Sequence, residues 1–249
     1  MIKATLIDFM GSDLSVVNAA RVSFGKKSTW SGQEGGLDDG EGGMGVLNDT
    51  DTKLINYLAK HKHTSPFGHA FASFHVKAPV FVARQLVKHK FLRWNEISRR
   101  YVSDKPEFYS PEVWRGTAVD KKQGSSDEVV KMLHWIVEDP ELSIEGHTEY
   151  DNVSDTPDRW SSYVNDRALD LYNAMLNSDV APEQARMVLP QSIMTEWYWS
   201  GSLDAFADMC ILRCKDDTQE ETRQVADQIS TAMKDLFPIS WEALTKGYD

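Results

Sequence analysis

One clearly alternating run, Phe71-Ala72-Ser73-Phe74-His75-Val76-Lys77, stands in a chain whose other apolar residues recur mostly at helical spacing, and this imbalance restricts the fold. The run reads as a strand closed by Ala78-Pro79, with Pro79 suited to the first turn of a helix from Val80 to about Phe91. Residues 2–9 alternate loosely and suit another strand, and Ser12 or Asp13 can cap a helix through Val22. Asn48, Asp49 or Thr50 can cap a helix that carries Leu54, Ile55 and Leu58 at core spacing and ends near His61. From Trp160 onward helices are expected over 160–177, 182–188, 203–213, 219–236 and 240–246, punctuated by Pro182, Pro190 and Pro238, with an aromatic-rich strand over 192–200. One group of strands among many helices, without regular alternation, predicts α+β and not a doubly wound sheet. The 249 residues suit a single compact domain, and no internal repeat is present.

Two regions fall outside this pattern. Seven glycines between Ser31 and Gly45, among several acids, predict a mobile loop, and they lack the G-x-G-x-x-G spacing of a dinucleotide site. Loop insertions are therefore expected near 25–47 and 115–160, the latter polar around one amphipathic helix carrying Val129, Val130, Leu133, Ile136 and Val137.

The chain holds 38 acids against 27 Lys and Arg, a net charge of −11 that argues against broad nucleic-acid or anionic-membrane binding. No run approaches eighteen apolar residues and Met1 to Asp8 lacks signal-peptide features, so a soluble, cytoplasmic protein is expected, in the host cell if the chain is viral. Cys210 and Cys214 are too few for a structural zinc site and read as buried free thiols. His61, His63, His69 and His75 lack acids at matching spacing, so no metal is expected.

Against this acidic background residues 84–100 hold six cations, at 84, 88, 90, 93, 99 and 100, and one acid, Glu96. Such a patch suits bound phosphates or carboxylates, or else forms a solvated basic face. Three pieces then occur in order: His63-Thr64-Ser65-Pro66-Phe67-Gly68-His69, Phe74 to Gln85, and Asn95-Glu96-Ile97-Ser98-Arg99-Arg100-Tyr101. With Ala19-Ala20-Arg21-Val22-Ser23, Ala185-Arg186-Met187-Val188-Leu189-Pro190 and Leu212-Arg213, they closely resemble the flavin-dependent thymidylate synthase family. The family signature is R-H-R, seven residues, then S; here Lys88-His89-Lys90 is followed by seven residues and Ser98. Lysine keeps the positive field but not the planar fork, so flavin affinity or orientation is the property this change affects, with Arg93 as a nearby compensating guanidinium.

The resemblance implies that family's fold, a small antiparallel sheet surrounded by helices, and a homotetramer that shares its active sites. It implies a methyltransferase that converts dUMP to dTMP with FAD as cofactor and with NADPH and methylene-tetrahydrofolate as co-substrates. It places His63, Ser65, Lys88, His89, Lys90 and Glu96 at the flavin, joined by Ser202, Gly201 or Leu203, Asp204 and Asp208. Gln85, Leu86, Val87, Lys88 and the run Glu96, Ile97, Ser98, Arg99 and Arg100 would hold the nucleotide, with Arg186 and Arg213 at the pyrimidine. Where the family often has a histidine four residues beyond the arginine, this chain has Asp217.

The chemistry assigns Arg213 a catalytic role: a fixed cation stabilises negative charge on the uracil imide, and a guanidinium is a poor base. Neither cysteine has the Pro-Cys-His setting of a cysteine-dependent thymidylate synthase, and Ser98, with no adjacent base, reads as a binding hydroxyl. Trp94, Trp197, Tyr198 and Trp199 could stack on a flavin or folate ring or belong to the core. Two other readings remain open at this point: a single-strand-binding module built on the basic patch, and a homologue that binds nucleotide but has lost turnover with its arginines.

Overall fold

The computed structural model describes residues 1–31, 45–102, 104–119, 124–136 and 152–246. Most of the glycine-rich stretch, and Val137, lie outside the described residues. The chain forms two compact units, one of residues 1–97 with 195–249 and one of residues 98–194.

The first unit opens with β1 (Lys3–Met10) and α1 (Asp13–Arg21), whose entry is held by the Ser12 amide donating to Ser15 Oγ at 3.0 Å. In α2 (Asp49–Lys60), Asn48 is the cap, accepting from the Asp51 amide at 2.9 Å. β2 (Phe71–Pro79) buries Ala72, Phe74, Val76 and Ala78 and leaves the alternate side chains partly exposed, as the alternation predicts. Pro79 caps α3 (Val80–Leu86), and β3 (Arg93–Glu96) follows.

α3 thus stops five residues short of the expected Phe91. Leu86 is its last buried residue, and Phe91 takes the left-handed conformation, φ 65°, which reverses the chain into β3. The indole of Trp94 stacks on Trp197, and this cross-strand packing outweighs five further residues of helix, among them two lysines and a histidine.

The second unit holds β4 (Arg115–Thr117) paired with β5 (Ser125–Val129), and β6 (Leu133–Ile136) paired with β7 (Asn152–Asp155), both antiparallel. Over the described part of the helix expected from Val129 to Val137 the chain instead ends β5 at Val129 and forms β6 at Leu133–Ile136. Val129, Val130 and Ile136 are β-branched, and their 3–4 spacing over so short a stretch does not separate helix from two half-buried strands. α4 (Pro157–Asn177) starts at a Thr156 cap, three residues earlier than expected, and α5 (Pro182–Ala185) is a single turn continued by a 3₁₀ turn at Arg186–Val188.

The chain then returns to the first unit with β8 (Met194–Ser202), α6 (Leu203–Arg213), α7 (Glu220–Leu236) and α8 (Pro238–Thr245). The four-stranded sheet runs β1-β2-β8-β3, antiparallel at β1–β2 and at β8–β3, and helices gather around it in an α+β fold. Phe74, Trp197, Trp199, Phe206, Ile229 and Met233 are all at most 1% exposed and form the centre of the core. Phe206 meets Phe74 and Trp199 edge-on, with centroids 5.3 and 5.7 Å away. Trp197 and Trp199 are thus core, and Trp94 lies over them. The carboxylate of Asp13 accepts from the amides of Ile239 and Ser240 and ties α1 to the start of α8.

Candidate functional site

In the first unit three local arrangements hold the residues singled out above. The first is built on α6. Its first two turns carry Asp204 and Asp208 on one face, and the helix packs against the 3₁₀ turn Ser65–His69, beside exposed His63 and Ser65. One carboxylate oxygen of Asp204 is buried without a hydrogen-bond partner. Partial burial and the Asp204 charge push the Asp208 carboxyl up, against the opposing pull of Lys62.

The second arrangement lies at the other end of α6. Arg213, in the last turn where a cation complements the helix dipole, donates from Nε to Nε2 of His89 at 3.0 Å. That bond requires an unprotonated Nε2, so His89 is a neutral acceptor with its proton on Nδ1. Burial, and secondarily the Arg213 cation, lower the His89 pKa from 6.5 to about 4. Burial also lowers that of Arg213. Among the described residues no carboxylate pairs with this guanidinium, nor with Arg84, Lys88, Lys90, Arg93 or Arg186.

The third arrangement is at the β3–β8 edge. Glu96 faces the Trp94 side of the strand, and its two carboxylate oxygens accept separately from Thr195 Oγ1 at 2.7 Å and from Trp94 Nε1 at 3.1 Å. Strand alternation puts Arg93, paired with Ser200, on the opposite face from Glu96.

The lysine-bearing turn 88–90 joins the last two arrangements in sequence, and Lys88 and Lys90 are both exposed on it. Gly201 lets this turn close: a Cβ there would lie 2.3 Å from Leu92 Cδ2 and 3.3 Å from the Phe91 carbonyl oxygen. Gln85 donates to Gln219 at 2.5 Å. Leu203 and Leu86 have fully buried side chains, and the Leu203 amide already donates to Ala70, so both serve packing in this structure. Ser202 is half-buried, and Val87 and Ile97 are exposed.

In the second unit, Arg100 Nε reaches Ser98 Oγ at 3.4 Å and its guanidinium lies 4.9 Å from the Tyr101 ring centroid. Arg99 is tied to Asp104, and Arg186 is exposed. A cavity of about 470 Å³, walled by Trp114, Val130, Leu133, Trp160 and Val164, also lies in this unit and contains none of the candidate residues.

Sequence reasoning did not find Thr195, Gln219 or Lys62, which carry no motif signal and are reached only through tertiary contacts. Cys210 is buried, its thiol pushed up by burial and directed at the Ala226 carbonyl, so it is not a nucleophile. Among the described residues there is no group of three metal-ligating side chains and no helix long and apolar enough to cross a membrane.

Comparison with known proteins gives a consistent answer. The profile of the family described as thymidylate synthase complementing protein matches residues 5–239. The flavin-dependent thymidylate synthase of Thermus thermophilus is 37% identical over 238 residues, 96% of this chain and 73% of that protein. That of Thermosipho melanesiensis is 34% identical over 241 residues, 97% and 89% of the two chains. The crystal structure of the UMP/dUMP methylase PolB from Streptomyces cacaoi with 5-Br dUMP superposes with a TM-score of 0.69 at 29% identity, covering 98% of this chain and 95% of that one. With a profile match over nearly the whole chain and relatives above 30% identity, this chain belongs to the flavin-dependent thymidylate synthase family.

Proposed function

We propose that this chain reductively methylates dUMP to dTMP in the cytoplasm, with methylene-tetrahydrofolate as carbon donor and NADPH-reduced FAD, as a single family domain in a homotetramer with shared active sites. The observation that carries the reading is Arg213, a half-buried guanidinium with no carboxylate partner among the described residues, held by a neutral imidazole in a chain of net charge −11. An acidic protein that leaves such a cation uncompensated is prepared for a charge that arrives with a ligand.

The residues present fit a flavin dinucleotide. The orphaned oxygen of Asp204 is an acceptor for a ligand hydroxyl or N–H, and Lys88 and Lys90, which pair with no carboxylate among the described residues, suit its phosphates. Asp204 and Arg213 are nine residues apart on α6, roughly 14 Å at the helical rise, a span for an elongated ligand. His63, Ser65, His89, Glu96, Ser202 and Asp208 complete the flavin set, and Leu203 supports it through the core. A bound flavin supplies the two-electron reduction that completes the methyl group.

For the nucleotide, Ser98 and Arg100 suit the phosphate as hydroxyl and charged fork, with Gln85, Arg99 and Arg186 as further contacts. Arg213 stabilises the charge that develops on the uracil imide as C5 becomes nucleophilic, and His89 holds the guanidinium without neutralising it. The single-strand-binding reading has no support from the family membership.

Purified protein mixed with FAD, NADPH, methylene-tetrahydrofolate and dUMP is expected to form dTMP and to show flavin absorbance. Folded protein that binds dUMP without forming dTMP would establish the impaired homologue instead.

A further inference from the structure

We infer that Trp94 and Thr195 are positioning residues that clamp the carboxylate of Glu96 in one orientation for its ligand. This rests on the reading above that places Glu96 in the ligand site.

Glu96 is exposed, and an exposed glutamate ordinarily samples several rotamers. Here each oxygen is held by a different donor: Thr195 Oγ1 at 2.7 Å and Trp94 Nε1 at 3.1 Å. The donors are themselves held by packing. Thr195 is 6% exposed on β8, and Trp94 stacks on Trp197 with centroids 4.3 Å apart and planes at 19°, and meets Trp199 edge-on at 5.7 Å. Strand geometry makes the assembly possible, because Trp94 and Glu96 are two apart on one face of β3, opposite Trp199 and Trp197, and Thr195 is two before Trp197 on the same face of β8. A carboxylate oxygen has two lone pairs, so one bond to each leaves both oxygens able to accept from a ligand hydroxyl or N–H. The indole N–H is the specific requirement at position 94, since a phenyl ring could stack but would not donate.

The test measures FAD affinity by flavin fluorescence and dUMP affinity by calorimetry on the full chain, with thermal unfolding as a control. Glu96→Ala is expected to weaken at least one affinity. Trp94→Phe keeps the stack and removes the donor, Thr195→Val removes the hydroxyl, and each is expected to weaken the same affinity by about tenfold, the scale of a lost bond to a charged group. Thr195→Ser is expected to restore it. In the Glu96→Ala background neither Trp94→Phe nor Thr195→Val should weaken binding further, whereas a merely structural effect would persist there. Changes under twofold in both single variants, or losses that add to that of Glu96→Ala, overturn the clamp. If Trp94→Phe folds poorly, the Thr195→Val and Thr195→Ser pair decides. Unchanged affinities in Glu96→Ala overturn the inference at its premise, and dTMP formation by that variant shows whether the reaction assignment survives.

Discussion

Replacing Arg213 with alanine tests the electrostatic part of the mechanism. On the proposed assignment the uracil ring is neutral in the ground state and gains imide charge as C5 becomes nucleophilic, so the guanidinium acts mainly on the transition state. Two unit charges about 4 Å apart at an effective dielectric near 20 interact by about 4 kcal/mol, and only part of a full charge has developed, so about 3 kcal/mol is a working figure. That corresponds to roughly a hundredfold or more in rate. Steady-state dTMP formation is expected to show a fall in kcat and in kcat/KM of similar size, with a smaller change in the KM for dUMP. Arg213→Lys keeps the charge but loses the Nε bond to His89 and is expected to fall between the two. The structure supplies an internal check. Since the Arg213 cation is the second cause of the low His89 pKa, the alanine variant should raise it from about 4 toward, but not to, 6.5, because burial is the larger cause and remains. A loss below tenfold in Arg213→Ala, or one confined to KM, would refute the assignment.

Three further outcomes follow from the geometry. Between pH 4 and 6.5 the unfolded chain protonates His89 while the folded chain does not, so this group makes stability rise with pH across that window; His89→Asn should flatten the slope of the wild-type melting curve series there. Asp51 is fully buried and accepts from Arg21, Ser28 and Asn48, so Asp51→Asn, which leaves the Arg21 cation uncompensated, is expected to cost about 3 kcal/mol in urea denaturation. Gly201→Ala would push Leu92 and the turn carrying Lys88 and Lys90, and flavin titration should show weaker FAD binding with little change in dUMP binding.

Much of the first unit was legible because its signals are local. β2 alternates residue by residue, α2 has an asparagine cap, and α6 to α8 are set off by Pro238 and long apolar periodicity. Where two periods fit one short stretch, as over Val129 to Ile136, reading from spacing chose a helix and tertiary pairing made strands. The end of α3 was misread for a related reason. Nothing between Leu86 and Phe91 is a glycine or proline, so the reversal comes from β3 pairing with β8, more than a hundred residues away. The motif residues were legible as chemistry, but their couplings were not: His89 meets Arg213 across 124 positions and Glu96 meets Thr195 across 99.

This division bears on the lysines that replace the signature arginines. Lys88 and Lys90 are exposed on a tight turn and pair with no carboxylate among the described residues, and on the proposed assignment a point charge on a flexible stem is sufficient for a phosphate, which accepts from many directions. On the proposed assignment Arg213 faces a stricter demand, since charge on a planar imide is met best by a planar donor in a fixed position. The chain keeps arginine there and holds its Nε with a half-buried imidazole that is too acidic, as its conjugate cation, to compete for the charge. On that assignment the substitution falls on positions where field matters more than orientation, and the position where orientation matters keeps the rigid fork.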